Sequence, residues 1–187
     1  MGKLSTYNFI TLNGFFKGPG EDISWAKKGE KEEEEFAAEN LSAGNILLFG
    51  RKTYELMAGY WPTEMAHKND PIVATGMNES EKIVFSRTLK KADWNNTRVI
   101  SDNIVEEVKK LKQDPGKNMT ILGSGSIIKL FAEKGLIDEF EIMVHPVAIG
   151  DGTPLLNDLS QKLDLQLTVT RSFKTGVVLL CYKPAAN

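Results

Sequence analysis

The chain has 187 residues, of which 41% are hydrophobic and 26% charged, so it can form one folded domain and is not a largely disordered chain. Its 23 basic side chains nearly balance 25 acidic ones, and the net charge of -2 gives no electrostatic reason to expect nucleic acid or an anionic membrane as partner. We therefore expect one domain over residues 1–187 with a small-molecule partner.

Short apolar runs alternate with helical patterns along the first half of the chain, which is typical of an α/β domain. This pattern predicts strands over 4–12, 46–49, 82–86 and 98–100. Helices are predicted over 30–41, where acidic residues occupy the first turn, and from 51 to 57. The Gly- and Pro-rich segment 14–20 is a candidate lid, and a Pro-containing connection is expected around 61–71.

The second half of the chain continues the alternation of strands and helices and ends in a predicted hairpin. Asn103 and Glu106 have capping-box spacing and predict a helix that stops at Pro115. Strands over 119–122 and 139–145 flank a helix over 127–134. Alternating apolar residues over 163–169, a turn at 174–176 and an apolar run over 177–182 predict a hairpin. We expect a mainly parallel central sheet flanked by helices, with a C-terminal antiparallel hairpin.

The reactive residue types exclude several site classes. Cys181 is the single cysteine and lies in an apolar run, so it forms no internal disulfide and suits a reducing compartment. His67 and His145 are too few and too far apart to indicate a metal site, and we expect structural roles for both. No apolar run approaches the roughly 20 residues of a membrane span, and the N-terminal segment has no signal-peptide pattern. These features predict a cytoplasmic protein without a metal.

Two strand-to-helix junctions carry the strongest functional signal: Gly50-Arg51-Lys52-Thr53 and Gly123-Ser124-Gly125-Ser126. Glycine lets a ligand approach the backbone, and the helix that starts there directs free N–H groups and a positive dipole end at the ligand. The first junction adds two cations and a hydroxyl, whereas the second has only small residues. Such an asymmetric pair predicts a dinucleotide site, with phosphate at the first junction and a flat group at the second.

Ser86-Arg87, at the end of a predicted strand, is a second basic candidate. Arg51, Arg87 and a serine suit the 2'-phosphate of NADP better than the bare ribose of NAD. The second junction does not have the G-x-G-x-x-G spacing, which argues against a conventional Rossmann site. The residues therefore favour NADPH in another α/β fold.

Taken in order, these segments resemble the dihydrofolate-reductase-like reductases, and specifically lone-domain relatives of the reductase half of bifunctional riboflavin-biosynthesis enzymes, the RibD C-terminal domain. The segments that carry the resemblance cover nearly the whole chain: Thr11–Gly14, Trp25, Gly50–Glu55, Trp61-Pro62, Ser86–Leu89, Ala92–Thr97, Leu122–Ser126, Pro146 and Gly150–Gly152. The resemblance implies a mixed, mainly parallel sheet with NADPH in a cleft across it, a pteridine- or pyrimidine-like substrate at the nicotinamide end, and a homodimer.

Site roles follow from the resemblance by matching positions. It implies that the adenosine phosphates face Gly50, Arg51, Lys52 and Thr53, that the 2'-phosphate faces Ser86 and Arg87, and that the pyrophosphate and nicotinamide face Gly123, Ser124, Gly125 and Ser126. Substrate contacts are implied for Asn13, Trp25 and Glu34. Trp25 can equally be a packing residue. Relatives often carry Asp where this chain has Asn13, and the carboxylate a folate reductase needs falls at or beside Glu34, within a run of glutamates.

The favoured function is an NADPH-dependent reductase that transfers hydride to a C=N or C=O carbon of a heterocyclic or ribosylamino-pyrimidine-like substrate, as in a 5-amino-6-(5-phosphoribosylamino)uracil reductase. The cofactor carries the hard chemistry, so the protein supplies alignment and water exclusion, and no catalytic residue is identified. Three alternatives remain: a dihydrofolate reductase, an NADPH-binding protein without turnover, and a phosphosugar-binding module that uses the same anion sites.

Overall fold

The computed structural model describes residues 1–26 and 29–185, with Ser42 described by its backbone alone. The strands in these residues are β1 (Leu4–Thr11), β2 (Phe15–Lys17), β3 (Ile46–Gly50), β4 (Lys82–Phe85), β5 (Thr97–Ile100), β6 (Met119–Leu122), β7 (Glu139–His145), β8 (Thr153–Pro154), β9 (Leu165–Ser172) and β10 (Val178–Pro184). The helices are α1 (Lys31–Ser42), α2 (Arg51–Ala58), α3 (Glu64–Asn69), α4 (Pro71–Glu79), α5 (Ile104–Lys112) and α6 (Gly125–Glu133), and a 3-10 turn covers Pro19–Glu21.

Eight of the described strands form one sheet in the order β5-β4-β3-β6-β1-β7-β10-β9. The pairs from β5 to β7 are parallel, whereas β10 is antiparallel to both β7 and β9. β2 and β8 pair separately as a small antiparallel ribbon. The predicted α/β class is confirmed, with a mainly parallel sheet, flanking helices and a C-terminal antiparallel hairpin.

The central strands bury side chains on both faces, because helices cover the sheet on either side. One face packs against α5 and α6 in a large cluster that includes Leu4, Ile121 and Phe131. The opposite face carries two smaller clusters. One joins α2 and α4 around Phe49, and the other contains residues of β7 and β10 around Phe173, with α1 packed against it.

The chain leaves β3 and β6 toward opposite faces of the sheet. α2 follows β3 and packs on the Phe49 face, whereas α6 follows β6 and packs on the Leu4 face. β3 and β6 are nevertheless neighbours in the sheet. In open α/β sheets, ligands bind in the crevice outside the carboxyl ends of such a pair of strands. The topology therefore places a candidate crevice where the two glycine junctions lie.

The segment predicted as a Pro-containing connection holds two helices, α3 and α4. Thr63 Oγ1 accepts a 3.2 Å hydrogen bond from Ala66 N and caps α3, while Pro71 occupies the first turn of α4, where a missing N–H is tolerated. Lys82 is fully buried, and its Nζ donates to the carbonyls of Met77 and Ser80 at 2.7 and 2.6 Å. This ammonium satisfies carbonyls at the C-terminal end of α4.

The predicted capping box at the start of α5 is wrong. Asn103 has φ 51°, in the left-handed region, and its side chain makes no cap hydrogen bond. Asparagine tolerates this backbone conformation, so a tight turn stands where the box was expected. The helix itself forms as its apolar periodicity predicts, because Val108 and Leu111 are buried against the sheet.

Candidate functional site

The two glycine junctions lie side by side and share one hydroxyl. Gly50 N donates a 2.6 Å hydrogen bond to Ser124 Oγ, and that hydroxyl donates to Thr53 Oγ1 at 2.9 Å. Ser124 is only 9% exposed, so this contact lies inside the protein. The structure thus brings the two junctions together, and the Ser124 hydroxyl is occupied in holding them.

Protein atoms explain why glycine stands at three of these positions. A Cβ on Gly50 would lie 2.8 Å from Ser124 Oγ, and one on Gly123 would lie 2.9 Å from Thr53 Cγ2. Gly123 also has φ 61°, in the left-handed region that favours glycine. A Cβ on Gly125 would lie 3.1 Å from an aromatic ring of β2. The glycines let α2, α6 and β2 approach one another, which is a different reason from the ligand contact predicted for them.

Two helix N-termini open at this edge. α2 begins after Gly50 and α6 after Ser124, and within the described residues neither N-cap side chain accepts a hydrogen bond from the first turn of its own helix. Ile127 N already donates to Ser124 O at 2.9 Å, so the N–H groups open to a ligand are the two before it in α6 and those in the first turn of α2. The positive ends of both helix dipoles lie at the same edge. Ser126 adds an exposed hydroxyl in the first turn of α6. This arrangement of donors fits an anionic ligand that contacts both helices.

The cations of the first junction are paired with carboxylates. Arg51 Nη1 lies 2.9 Å from Glu55 Oε1, one turn along α2. Lys52 Nζ lies 2.9 Å from Glu21 Oε1, and Glu21 also binds Lys17 at 2.7 Å. Hydrogen bonds from the two lysines lower the pKa of Glu21. The predicted lid segment 14–20 is therefore a strand and a turn, and Glu21, the next residue, binds Lys52, one of the side chains predicted to contact phosphate.

Ser86 and Arg87 follow β4, the neighbour of β3. Ser86 Oγ accepts hydrogen bonds from Leu89 N at 2.9 Å and Thr88 N at 3.2 Å, which fixes the turn after the strand. Arg87 is exposed, and no ion pair within the described chain involves it. Arg87 is thus the arginine at this edge whose charge is not already matched by a carboxylate.

Asn13 holds two loops together. Its Oδ1 accepts from Thr11 Oγ1 at 2.8 Å and from Ile149 N at 3.3 Å, and its Nδ2 donates to Ile149 O at 2.8 Å. These bonds join the end of β1 to the segment after β7. The amide predicted to contact substrate is therefore engaged in holding these two loops together.

Aromatic rings form a second part of the site at the carboxyl ends of β1 and β7. The Trp25 ring meets His145 edge to face, with centroids 5.6 Å apart, and Phe9 meets the same imidazole at 5.2 Å. Phe9 is 42% exposed, which leaves an apolar surface that a flat ring can cover. Trp25, predicted at the substrate, lies here beside His145, for which only a structural role was expected.

The buried carboxylate of α1 is Glu33, one residue before the predicted Glu34. Glu33 is 8% exposed and accepts a 2.5 Å hydrogen bond from Thr175 Oγ1, whereas Glu34 is partly exposed. Glu33, Phe36 and Asn40 follow the helical spacing that places them on one face. Phe36 packs against aromatic rings of β1 and the hairpin turn, so its position was the sequence signal that identifies Glu33 as inward-facing.

The charge of Glu33 acts on Tyr7 and His145, and Tyr7 pairs with Glu141 across the sheet. Burial and the charges of Glu141 and Glu33 raise the pKa of Tyr7. Burial and the neighbouring Glu139 raise the pKa of Glu141 to about 7, although Asn40 Nδ2 donates to it at 3.3 Å. Burial lowers the pKa of His145, against the opposing charge of Glu33. The pocket can therefore hold neutral hydrogen-bonding groups near neutral pH.

The two helix N-termini and the rings around His145 lie along one row of strand ends. The strands β4, β3, β6, β1 and β7 are successive neighbours and all parallel. Their spacing puts the end of β4 roughly 19 Å from the end of β7, four steps of about 4.8 Å. An extended dinucleotide can cover much of this distance, with one end beside Arg87 and the other near Phe9.

Residues 1–26 and 29–185 hold no group of three or more His, Cys, Asp or Glu side chains placed to bind a metal ion. No helix in that part of the chain is long and apolar enough to cross a membrane.

Sequence comparison identifies relatives along almost the whole chain. The family model of the RibD C-terminal domain matches residues 3–179. The uncharacterized protein YyaP of Bacillus subtilis is 35% identical over 173 residues, which are 92% of this chain and 90% of YyaP.

Solved structures share the fold at low identity. A Shewanella sp. PV-4 protein named for riboflavin biosynthesis has a TM-score of 0.76 at 17% identity, with both chains fully covered. A Thermotoga maritima diaminohydroxyphosphoribosylaminopyrimidine deaminase/5-amino-6-(5-phosphoribosylamino)uracil reductase has a TM-score of 0.66 at 15% identity, covering 98% of this chain and 57% of the other. Enterococcus faecalis dihydrofolate reductase, in complex with NADP(H), has a TM-score of 0.67 at 14% identity, covering 99% and 98%.

Proposed function

The chain belongs to the RibD C-terminal domain family, a reductase domain, and from this premise we propose that it is a single-domain NADPH-dependent reductase of a small heterocyclic substrate. The favoured substrate class is a ribosylamino-pyrimidine, reduced at a C=N or C=O carbon. The observation that carries the proposal is the pair of uncapped helix N-termini beside Ser86-Arg87, on adjacent parallel strands.

Different residues suit the different phosphate groups of the cofactor. The N–H groups at the start of α2 and α6 suit the pyrophosphate, and Arg87 with the Ser86 hydroxyl suits the 2'-phosphate. Arg51 and Lys52 contribute to the same field, although each is paired with a carboxylate. Bound NADPH supplies the hydride. The protein contributes orientation and exclusion of water.

The substrate residues are those of the aromatic pocket. A flat ring on the exposed face of Phe9 lies at the carboxyl end of β1, next to the junction that follows β6. Glu33 offers a buried carboxylate to a ring N–H or amino group. The charges of this carboxylate and of Glu141 both act on Tyr7.

Measurement of NADPH oxidation distinguishes the proposed reductase from the alternative functions. Oxidation of NADPH, followed at 340 nm, is expected with 5-amino-6-(5-phosphoribosylamino)uracil as substrate and at a much lower rate with dihydrofolate. Binding of NADPH without oxidation in either mixture would favour a non-catalytic cofactor-binding protein. Absence of NADPH binding would contradict the proposal and leave the phosphosugar-binding alternative.

Dihydrofolate reduction is the second candidate, because Glu33 supplies a buried carboxylate on the first helix. A folate reductase loses roughly 10²- to 10⁴-fold in rate when such a group is neutralised. Efficient dihydrofolate turnover that collapses in Glu33→Gln and persists in Glu34→Gln would establish this candidate. The Glu34 variant is the matched control, because it changes the same charge one residue along α1.

We also propose a cytoplasmic homodimer. Support for the dimer comes from the edge strand β9, where Leu167 and Val169 are 49% and 48% exposed and the backbone has one unpaired side in the described sheet. Support for the compartment comes from the unpaired thiol of Cys181. Light scattering on the purified protein gives its mass in solution, and a monomer at micromolar concentration would contradict the dimer.

A further inference from the structure

Two buried polar atoms in the aromatic pocket have no hydrogen-bond partner within the described residues: His145 Nε2 and Trp25 Nε1. His145 is 5% exposed, so water does not reach its imidazole from the surface. Buried polar atoms are nearly always hydrogen-bonded in folded proteins, and an unpaired one calls for a specific explanation. The two atoms belong to rings in contact with each other, so one ligand edge can serve both.

The two rings stand at the place where a substrate ring would enter. His145 ends β7 and pairs with Thr11, which ends β1, while Trp25 packs against it from the segment before α1. The rings are nearly perpendicular, with an interplanar angle of 81°. Phe9 borders the same imidazole and exposes its own ring. A planar ligand that stacks on Phe9 therefore brings its edge toward His145 and Trp25, and it reaches the two buried nitrogens when the Trp25 side chain moves aside.

The chemistry of the two atoms limits what that edge can be. Burial lowers the pKa of His145, so its imidazole is neutral near pH 7 and has one donor and one acceptor nitrogen. The indole N–H of Trp25 can only donate. With the imidazole proton on Nδ1, Nε2 is an acceptor beside the indole donor, and this pair is complementary to an N–H group beside a carbonyl oxygen. A lactam edge, as in a pyrimidinedione ring, has this arrangement.

We propose that His145 and Trp25 determine substrate specificity by forming hydrogen bonds to a lactam edge of the substrate ring. His145 Nε2 accepts from the ring N–H, and Trp25 Nε1 donates to the adjacent carbonyl oxygen. The inference rests on the proposed reductase function and adds to it the residues that recognise the ring. Both side chains are specificity residues, and neither takes part in hydride transfer.

The test compares two ligands by calorimetry in the absence of NADPH: 5,6-diaminouracil and its 1,3-dimethyl derivative, which keeps the carbonyls and has no ring N–H. We expect the wild type to bind the dimethyl compound at least about 10-fold more weakly, because a buried acceptor is left unpaired. His145→Phe, which keeps a ring and removes its nitrogens, is expected to bind both ligands with equal affinity. Trp25→Phe is expected to weaken both by a similar factor.

Each outcome decides the inference. If His145→Phe still binds the dimethyl compound more weakly than 5,6-diaminouracil, the inference is wrong. It is also wrong if the wild type binds the two ligands equally, or binds neither. His67→Phe is the control, because that exposed histidine lies on α3, away from the pocket. The ligand comparison on the wild type needs no variant and so does not depend on how a variant folds. NADPH titration of the same samples tests the reductase proposal separately, since cofactor binding does not require the lactam contacts.

Discussion

The three cations nearest the helix N-termini differ in whether a carboxylate already neutralises them. Arg51 binds Glu55 and Lys52 binds Glu21, whereas Arg87 has no ion pair within the described chain. Position along the sequence suggests equal roles for the two arginines. The two arginines differ because Glu55, four residues after Arg51 on α2, reduces the charge that Arg51 presents to a ligand.

Arg87→Ala is expected to weaken NADPH binding by roughly 10- to 100-fold and NADH binding much less, because charge-assisted hydrogen bonds contribute about 1.5 to 3 kcal/mol. Arg51→Ala is expected to have a smaller effect. Quenching of tryptophan fluorescence gives both affinities, and Lys90→Ala, a nearby exposed cation, serves as control. Equal losses for NADPH and NADH in the Arg87 variant would show that Arg87 does not contact the 2'-phosphate.

Glu141 gives the protein a pH dependence with a definite sign. Its pKa is raised from 4.5 to about 7 in the folded state, so between these values the folded chain binds more protons than the unfolded chain. The resulting stabilisation is present at low pH and is lost as pH rises toward 7. Glu141→Gln keeps a hydrogen-bonding partner for Asn40 and does not titrate.

Glu141→Gln is therefore expected to raise the free energy of unfolding at pH 8 by about 1 to 2 kcal/mol, after allowance for partial exposure, and to leave it nearly unchanged at pH 4. Urea denaturation at a series of pH values measures this difference. A variant that is less stable than the wild type at pH 8 would show that the carboxylate is held by favourable contacts rather than by burial alone.

At the scale of the elements, the site depends on how β3–α2 and β6–α6 contact each other. The Ser124 hydroxyl bridges Gly50 N and Thr53 Oγ1 inside the protein. Without this hydroxyl, a buried N–H of the first junction has no partner and the two helix N-termini are no longer held in register.

Ser124→Ala is expected to lower the free energy of unfolding by about 1 to 3 kcal/mol and to weaken NADPH binding at the same time. Ser126→Ala, in the same turn of α6 but exposed, is expected to leave stability within about 0.5 kcal/mol. Denaturant melts of the two variants provide the comparison. Equal stability of Ser124→Ala and the wild type would mean that water replaces the hydroxyl.

Local patterns predicted most elements, and their failures have physical causes. Thr63 and Pro71 are helix-start signals, but two prolines close together suggested a loop instead of α3 and α4. Asn103 had the spacing of a capping box, yet its left-handed backbone removes the geometry that the box requires. Glu33 was overlooked because it lies in a run of glutamates, in which the sequence does not distinguish the buried position. The helical spacing from the apolar Phe36 shows that Glu33 is the glutamate that faces inward.

At the scale of the whole molecule, strand order and the meeting of the junctions depend on contacts far apart in sequence. The alternation of strands and helices predicted a parallel sheet with a terminal hairpin, and the family resemblance implied the cleft. No local pattern predicted that Ser124 would hold Gly50, or that Trp25 would cover His145. Such contacts join segments more than 70 residues apart, and only the folded chain defines them.

We propose that NADPH binds across the carboxyl ends of β4, β3 and β6, with its 2'-phosphate at Ser86-Arg87. The most direct test is calorimetric titration of the wild-type protein with NADPH and with NADH at one salt concentration. We expect NADPH to bind at least about 10-fold more tightly, because NADH has no phosphate for Arg87 to contact. Equal affinities for the two cofactors, or binding of neither, would contradict the claim.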